Sequence, residues 1–114
     1  MGFKEDYSLE NRINESNKIM NKYQSRIPVI VEKSKDCPLN DIHKKKYLVP
    51  KDLKMSQFIY IIRKKINMKS SESIFLMTNH SLCPSNSFLI DIYEKNADKD
   101  GFLYITYTSE NTFG

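Results

Sequence analysis

Cys37, His43, His80 and Cys83 are the side chains of this 114-residue chain best suited to act as thiol nucleophile, neutral-pH base or soft metal ligand. Their spacing supports none of these roles. The two cysteines stand far apart, each followed by a proline, and form no Cys-x-x-Cys pair. The histidines do not complete a zinc ligand set. Cys83 follows His80 closely enough to suggest a thiol–imidazole couple, but a catalytic thiol also needs an oxyanion stabiliser, and no residue marks one. With three glycines the chain has no phosphate-cradling loop, and no paired-carboxylate signature is present. These four residues therefore read as turn and loop positions. The expectation is a protein that is not an enzyme, with no catalytic residue, no metal and no cofactor.

Two other features carry chemistry. Residues 44–69 hold nine cations (Lys44, Lys45, Lys46, Lys51, Lys54, Arg63, Lys64, Lys65 and Lys69) against one acid, Asp52. The window is +8 in a chain of net charge +4, so the remainder is −4. A one-sided field of this kind suits an acidic partner, while a lysine-rich solvated surface is the plain alternative. The second feature is Gly114, the last residue of the chain as given, after Ser109-Glu-Asn-Thr-Phe113. A carboxylate that is to be activated and attacked by an amine must enter a narrow channel, and glycine has no Cβ to obstruct it. A sheet-and-helix domain ending this way suggests a ubiquitin-like modifier.

The elements that would position these groups follow from periodicity. One domain is expected at this length. Ser8 to Tyr23 reads as a helix capped by Ser8, with a ragged stripe of Leu9, Ile13, Ile19, Met20 and Tyr23. Ile27 to Glu32 is short, apolar and β-branched, hence a strand, and Pro28 predicts a sheet edge at that point. Ser34 to Asn40 reads as a loop. Lys45 to Pro50 is a second strand, pairing with the first as an antiparallel hairpin. Met55, Phe58, Ile59, Ile62 and Ile66 fall at helical spacing, with Ile61 beside them and Arg63, Lys64 and Lys65 opposite; this is the central helix. Ser73 to Thr78 is a third strand and Leu82 to Asn86 a turn. Phe88 to Lys95 is a short helix capped by Asn86 or Ser87, and Gly101 to Thr108 is the fourth strand. Strand pairs around one long helix predict an α+β fold with a four-stranded mixed sheet. No run approaches the roughly 20 apolar residues of a membrane span, and Met1 to Asp6 lacks the apolar core of a signal peptide. Asp6 stands where N-myristoylation requires Ser or Thr. The expectation is a soluble intracellular protein with reduced thiols.

The blocks Lys22-Tyr23, Arg26-Ile-Pro-Val-Ile-Val-Glu-Lys33, Lys44-Lys-Lys-Tyr-Leu-Val-Pro50, Gln57-Phe58 with Ile62-Arg63-Lys64, Phe102-Leu-Tyr-Ile105 and Phe113-Gly114 resemble the autophagy-related protein 8 family of ubiquitin-like modifiers, its GABARAP-like members in particular. The resemblance runs from about Leu9 to Gly114. It implies a ubiquitin-like β-grasp (residues 25–108), an N-terminal helical extension of two helices (residues 1–24) and a flexible conjugation tail (residues 109–114). It implies activation of Gly114 by a ubiquitin-activating-like enzyme, transfer to a conjugating-like enzyme, and amide formation on phosphatidylethanolamine. Most relatives carry residues beyond the glycine that a cysteine protease removes; here either a bare glycine is encoded or the chain is truncated.

By the same resemblance, receptor and adaptor proteins dock a short aromatic-x-x-aliphatic motif as an added strand beside Lys45 to Pro50. The aromatic pocket falls on Glu15, Ile19, Pro28, Lys46, Leu48 and Phe102. The aliphatic pocket falls on Tyr47, Val49, Pro50, Leu53, Phe58 and Ile61. Arg26 and Lys65 meet acidic residues of the ligand. The implied location is cytoplasmic, and membrane-associated when lipidated, on autophagosomes or on the plastid-like organelle that relatives with such Lys/Asn/Ile-rich sequences serve. No nucleic acid is expected as partner. An unconjugated ubiquitin-fold adaptor and a basic nucleic-acid-binding module remain the alternatives.

Overall fold

A computed structural model describes residues 2–109. The chain forms α1 (Phe3–Asp6), α2 (Leu9–Lys22), β1 (Arg26–Lys33), β2 (Lys46–Pro50), α3 (Met55–Lys65), β3 (Phe75–Thr78), β4 (Ser81–Leu82), α4 (Leu89–Asn96) and β5 (Leu103–Thr108). The strands lie in the order β2-β1-β5-β3-β4. The β1–β2 hairpin is antiparallel, β1 and β5 are parallel, and β3 is antiparallel to both β5 and β4, so the sheet is mixed.

One face of the sheet holds the main core. Val29, Val31, Tyr47, Val49, Leu103, Ile105 and Tyr107 pack there against Met55, Phe58 and Ile62 of α3 and Leu89 and Ile92 of α4. The period of α3 decides this arrangement, since its buried residues Met55, Phe58 and Ile62 recur at three and four positions. Gln57 closes its first turn, its Oε1 accepting from the Lys54 amide at 2.9 Å. On the opposite face Ile30 and Phe102 meet Ile19 of α2, with Phe3, Leu48 and Tyr104 packed around them. β1 is therefore covered on both sides, which is why its sequence is a continuous apolar run rather than an alternating one.

The helical extension is bolted to this second face by a buried carboxylate. Asp100, 1% exposed, accepts from Arg12 Nη1 at 2.7 Å, from the Tyr104 hydroxyl at 2.5 Å and from the Phe102 amide at 2.8 Å. Its main-chain oxygen accepts from Ser16 Oγ at 2.5 Å. Gly101 follows at φ +91°, and a Cβ there would lie 2.3 Å from Ser16 Oγ. The helix α2 begins as expected, Ser8 Oγ accepting from the Asn11 amide at 3.1 Å.

The structure corrects three expectations. The four-stranded sheet gains a fifth strand, β4, because Asn79 and His80 both adopt positive φ (49° and 65°) and close a two-residue hairpin between Thr78 and Ser81. Pro28 does not place β1 at an edge: β1 lies between β2 and β5. The parallel pairing with β5 begins at Val29, one residue later, so the missing proline amide falls just outside that ladder. Neither Asn86 nor Ser87 caps α4; Phe88 occupies the cap position without a side-chain bond, held by its bridge to Lys54.

Candidate functional site

β2 is the outer strand of the sheet on this side, and its register determines which main-chain groups face outward. The Val31 amide donates to Lys45 O at 2.8 Å and the Lys51 amide to Ser25 O at 3.0 Å. Between them, alternation makes Ile27–Val49 and Val29–Tyr47 the hydrogen-bonded pairs. Lys46, Leu48 and Pro50 thus turn their main-chain groups away from β1, toward the open edge. Leu48 O accepts from Arg26 Nη1 at 2.9 Å and Pro50 O from the Leu53 amide at 3.1 Å.

Along this edge runs a groove of about 760 Å³ between α2, β2 and α3. Of the residues assigned to the aromatic pocket, Glu15, Ile19, Lys46 and Leu48 line it. Pro28 and Phe102 do not; both are buried, and Phe102 shares one apolar cluster with Ile19 and Leu48. All six residues assigned to the aliphatic pocket line the groove: Tyr47, Val49, Pro50, Leu53, Phe58 and Ile61. Arg26 lines it as well, whereas Lys65, exposed at the end of α3, does not. Tyr47 packs edge-to-face on Phe58, ring centroids 5.9 Å apart, with Lys44 Nζ 5.0 Å above its own ring. Its hydroxyl is buried without a hydrogen-bond partner among the described residues, and burial raises its pKa.

Charge surrounds these apolar walls. Lys46 Nζ meets Glu15 at 2.7 Å across the groove, joining β2 to α2. Lys18, Lys22, Tyr23 and Lys44 also line it and are absent from the sequence-based set. Their signal is present in the chain: Glu15, Lys18, Ile19 and Lys22 recur at three and four positions and share one helix face. The +8 window, by contrast, divides in space. Lys44 and Lys46 reach the groove, while Arg63 closes the loop after α3 by donating to Glu72 O and Lys69 O, each at 2.9 Å.

The arrangement has the form of a peptide dock, with an open strand edge, an apolar trough on either side of it and a basic rim. The thiol chemistry has the opposite environment. Burial pushes the Cys83 thiol up to about 11, away from the thiolate a nucleophile needs. Among the described residues no group of three or more His, Cys, Asp or Glu side chains is arranged to hold a metal ion. No helix among them is long and apolar enough to cross a membrane.

Residues 11–114 match the family model described as autophagy protein Atg8, ubiquitin like. The chain belongs to the Atg8 family. Among curated relatives, autophagy-related protein 8B of Oryza sativa subsp. indica is 51% identical over 112 residues, spanning 98% of this chain and 94% of its own. Autophagy-related protein 8 of Candida glabrata is 47% identical, spanning 98% and 95%. Among solved structures, Trypanosoma brucei ATG8 superposes with a TM-score of 0.92 at 34% identity, covering 100% of this chain and 98% of that one. Plasmodium falciparum Atg8, solved in complex with a Plasmodium falciparum Atg3 peptide, gives 0.88 at 35% identity, covering 96% and 97%. The fold is thus the ubiquitin-like one, with Atg8-type helices preceding it.

Proposed function

We propose that this Atg8-family chain is a ubiquitin-like modifier joined through Gly114 to phosphatidylethanolamine, and that on autophagosomal or related membranes it recruits proteins bearing an aromatic-x-x-aliphatic motif. The observation that carries the docking half is the groove, in which the outward main chain of Lys46 and Leu48 is flanked by apolar walls on α2 and α3. An added strand hydrogen-bonds to that main chain while its alternate side chains enter the troughs. Gly114 lies outside the described residues; its role rests on family membership. The Plasmodium relative's complex with an Atg3 peptide supports a conjugating-type enzyme as partner, and an activating-type enzyme would precede it.

The chemistry favours modest, reversible docking. One aromatic and one aliphatic anchor bury on the order of 300 Å² of apolar surface, about 7–9 kcal/mol gross. Ordering the peptide offsets about 2–5 kcal/mol of this, and strand hydrogen bonds return about 1 kcal/mol each. The result lies near micromolar affinity, which many copies on one membrane raise by avidity.

Two measurements test the proposal. In a reconstituted reaction, deleting Gly114 is expected to abolish the lipidated, faster-running band; persistence of that band refutes conjugation at this residue. In titrations with an aromatic-x-x-aliphatic peptide, Lys46→Ala combined with Leu48→Ala is expected to weaken binding about tenfold or more, the loss of one anchor contact and its edge. Unchanged isotherms refute the groove.

A further inference from the structure

Two residues of the groove, Ile19 and Leu48, share an apolar cluster with Phe102, which in turn meets Phe3. Phe102 is fully buried in the cluster that contains Ile19, Ile30 and Leu48. Ile19 and Leu48 line the groove, so an aromatic side chain seated against them rests on the cluster that Phe102 completes. Phe102 is met in turn by Phe3, ring centroids 5.2 Å apart and planes at 71°, an edge-to-face pair. Phe3 does not line the groove but the cavity next to it, which shares Glu15, Lys18 and Lys46 with the groove. It belongs to α1, a four-residue helix tied down by groups that do not line the groove. The Phe3 amide donates to Glu32 Oε2 at 2.8 Å, and Lys4 Nζ lies 2.6 Å from Asp98 and 4.6 Å from the Tyr104 ring centroid.

We propose that Phe3 is a positioning residue that sets the depth of the aromatic pocket through Phe102, so that docking of α1 tunes which aromatic anchor the groove prefers. This rests on the peptide-docking reading above. With Phe3 in place the Phe102 ring cannot recede, and the pocket stays shallow and firm. Without it, space the size of a ring opens behind Phe102. The floor gives way for a large indole and no longer supports a smaller phenyl.

The test uses two peptides that differ only in the aromatic residue, Trp or Phe, titrated by calorimetry into the wild-type chain and its variants. Phe3→Ala is expected to raise the Trp-over-Phe preference about threefold to tenfold, the range one edge-to-face pair supports. Phe3→Leu is expected to restore most of the original ratio, and Lys4→Ala, which loosens α1 but keeps the ring, to shift it less in the same direction. A Leu-to-Val swap at the peptide's aliphatic position is expected to read the same in every variant. An unchanged Trp-to-Phe ratio in Phe3→Ala, or equal weakening of both peptides, overturns the proposal, as does an aliphatic preference that moves in step. Should Phe3→Ala fail to fold, Lys4→Ala decides, and an unchanged ratio there overturns it. A wild-type chain that binds neither peptide refutes the docking reading itself, a result distinct from a bound but unshifted pair.

Discussion

At the scale of single residues, two positions are under opposite stresses. Gly101 sits at a backbone angle that L side chains avoid, with Ser16 pressed against the place a Cβ would take. Gly101→Ala is expected to cost about 1–3 kcal/mol of unfolding free energy, read as a lower urea midpoint. Tyr47 is the reverse case, since its hydroxyl is buried and unpartnered among the described residues. Tyr47→Phe removes a desolvated polar group and keeps the ring on Phe58. It is expected to stabilise the chain by up to about 1 kcal/mol, seen as a higher melting temperature. Neither stress was legible in the sequence, because each depends on a neighbour from a distant segment: Ser16 of α2 for Gly101, and the core between β2 and α3 for the Tyr47 hydroxyl.

At the scale of elements, legibility follows length and period. The helix α3 repeats its apolar residues over eleven positions, and β1 is a dense β-branched run; both were readable directly. The four residues of α1 hold three charges and no period, so their docking is a tertiary fact, made by Phe3 on Phe102 and Glu32 and by Lys4 on Asp98 and Tyr104. The turn that makes β4 uses Asn79-His80 in place of the more familiar Asn-Gly, and Phe88 replaces a polar cap on α4. Docking of α1 also has a pH dependence. Burial opposes ionisation of Asp98, but hydrogen bonds from Lys4 and the Asp100 amide outweigh it and hold the carboxyl below its ordinary 3.8. A lowered native pKa contributes stability above the unfolded value and loses it as pH falls through the native one. The Lys4–Asp98 contribution is therefore expected to be present above pH 3.8 and to be lost progressively below it, as pH falls through the lower native value. Ring resonances of Phe3 and Tyr104 should report the release of α1 in acid, and Asp98→Asn should remove that component of the titration.

At the scale of the whole molecule, the basic window of the linear chain is scattered, and two of its parts stand out. One belongs to the groove, where α2 adds Lys18 and Lys22 to Lys44 and Lys46; the other borders the loop after α3, around Arg63 and Lys64. For an acidic aromatic-x-x-aliphatic peptide, Lys18→Ala with Lys22→Ala is expected to slow association several-fold at low salt, an effect that fades as salt screens the rim. Lys64→Ala with Lys69→Ala is expected to leave the association rate unchanged, although it removes the same formal charge. The site residues on β2 and α3 were readable from their resemblance to the Atg8 family, whereas the contribution of α2 to the rim had to await the folded arrangement of that helix beside the sheet. The seam between α2 and the sheet, closed by Arg12, Ser16, Asp100 and Gly101, has a further consequence. A fragment begun at residue 25 would bare Ile30 and Phe102 to water and strand a carboxylate with no cation to answer it. Such a fragment should clump out of solution instead of surviving as a smaller ubiquitin: the preamble of this chain is masonry, not ornament.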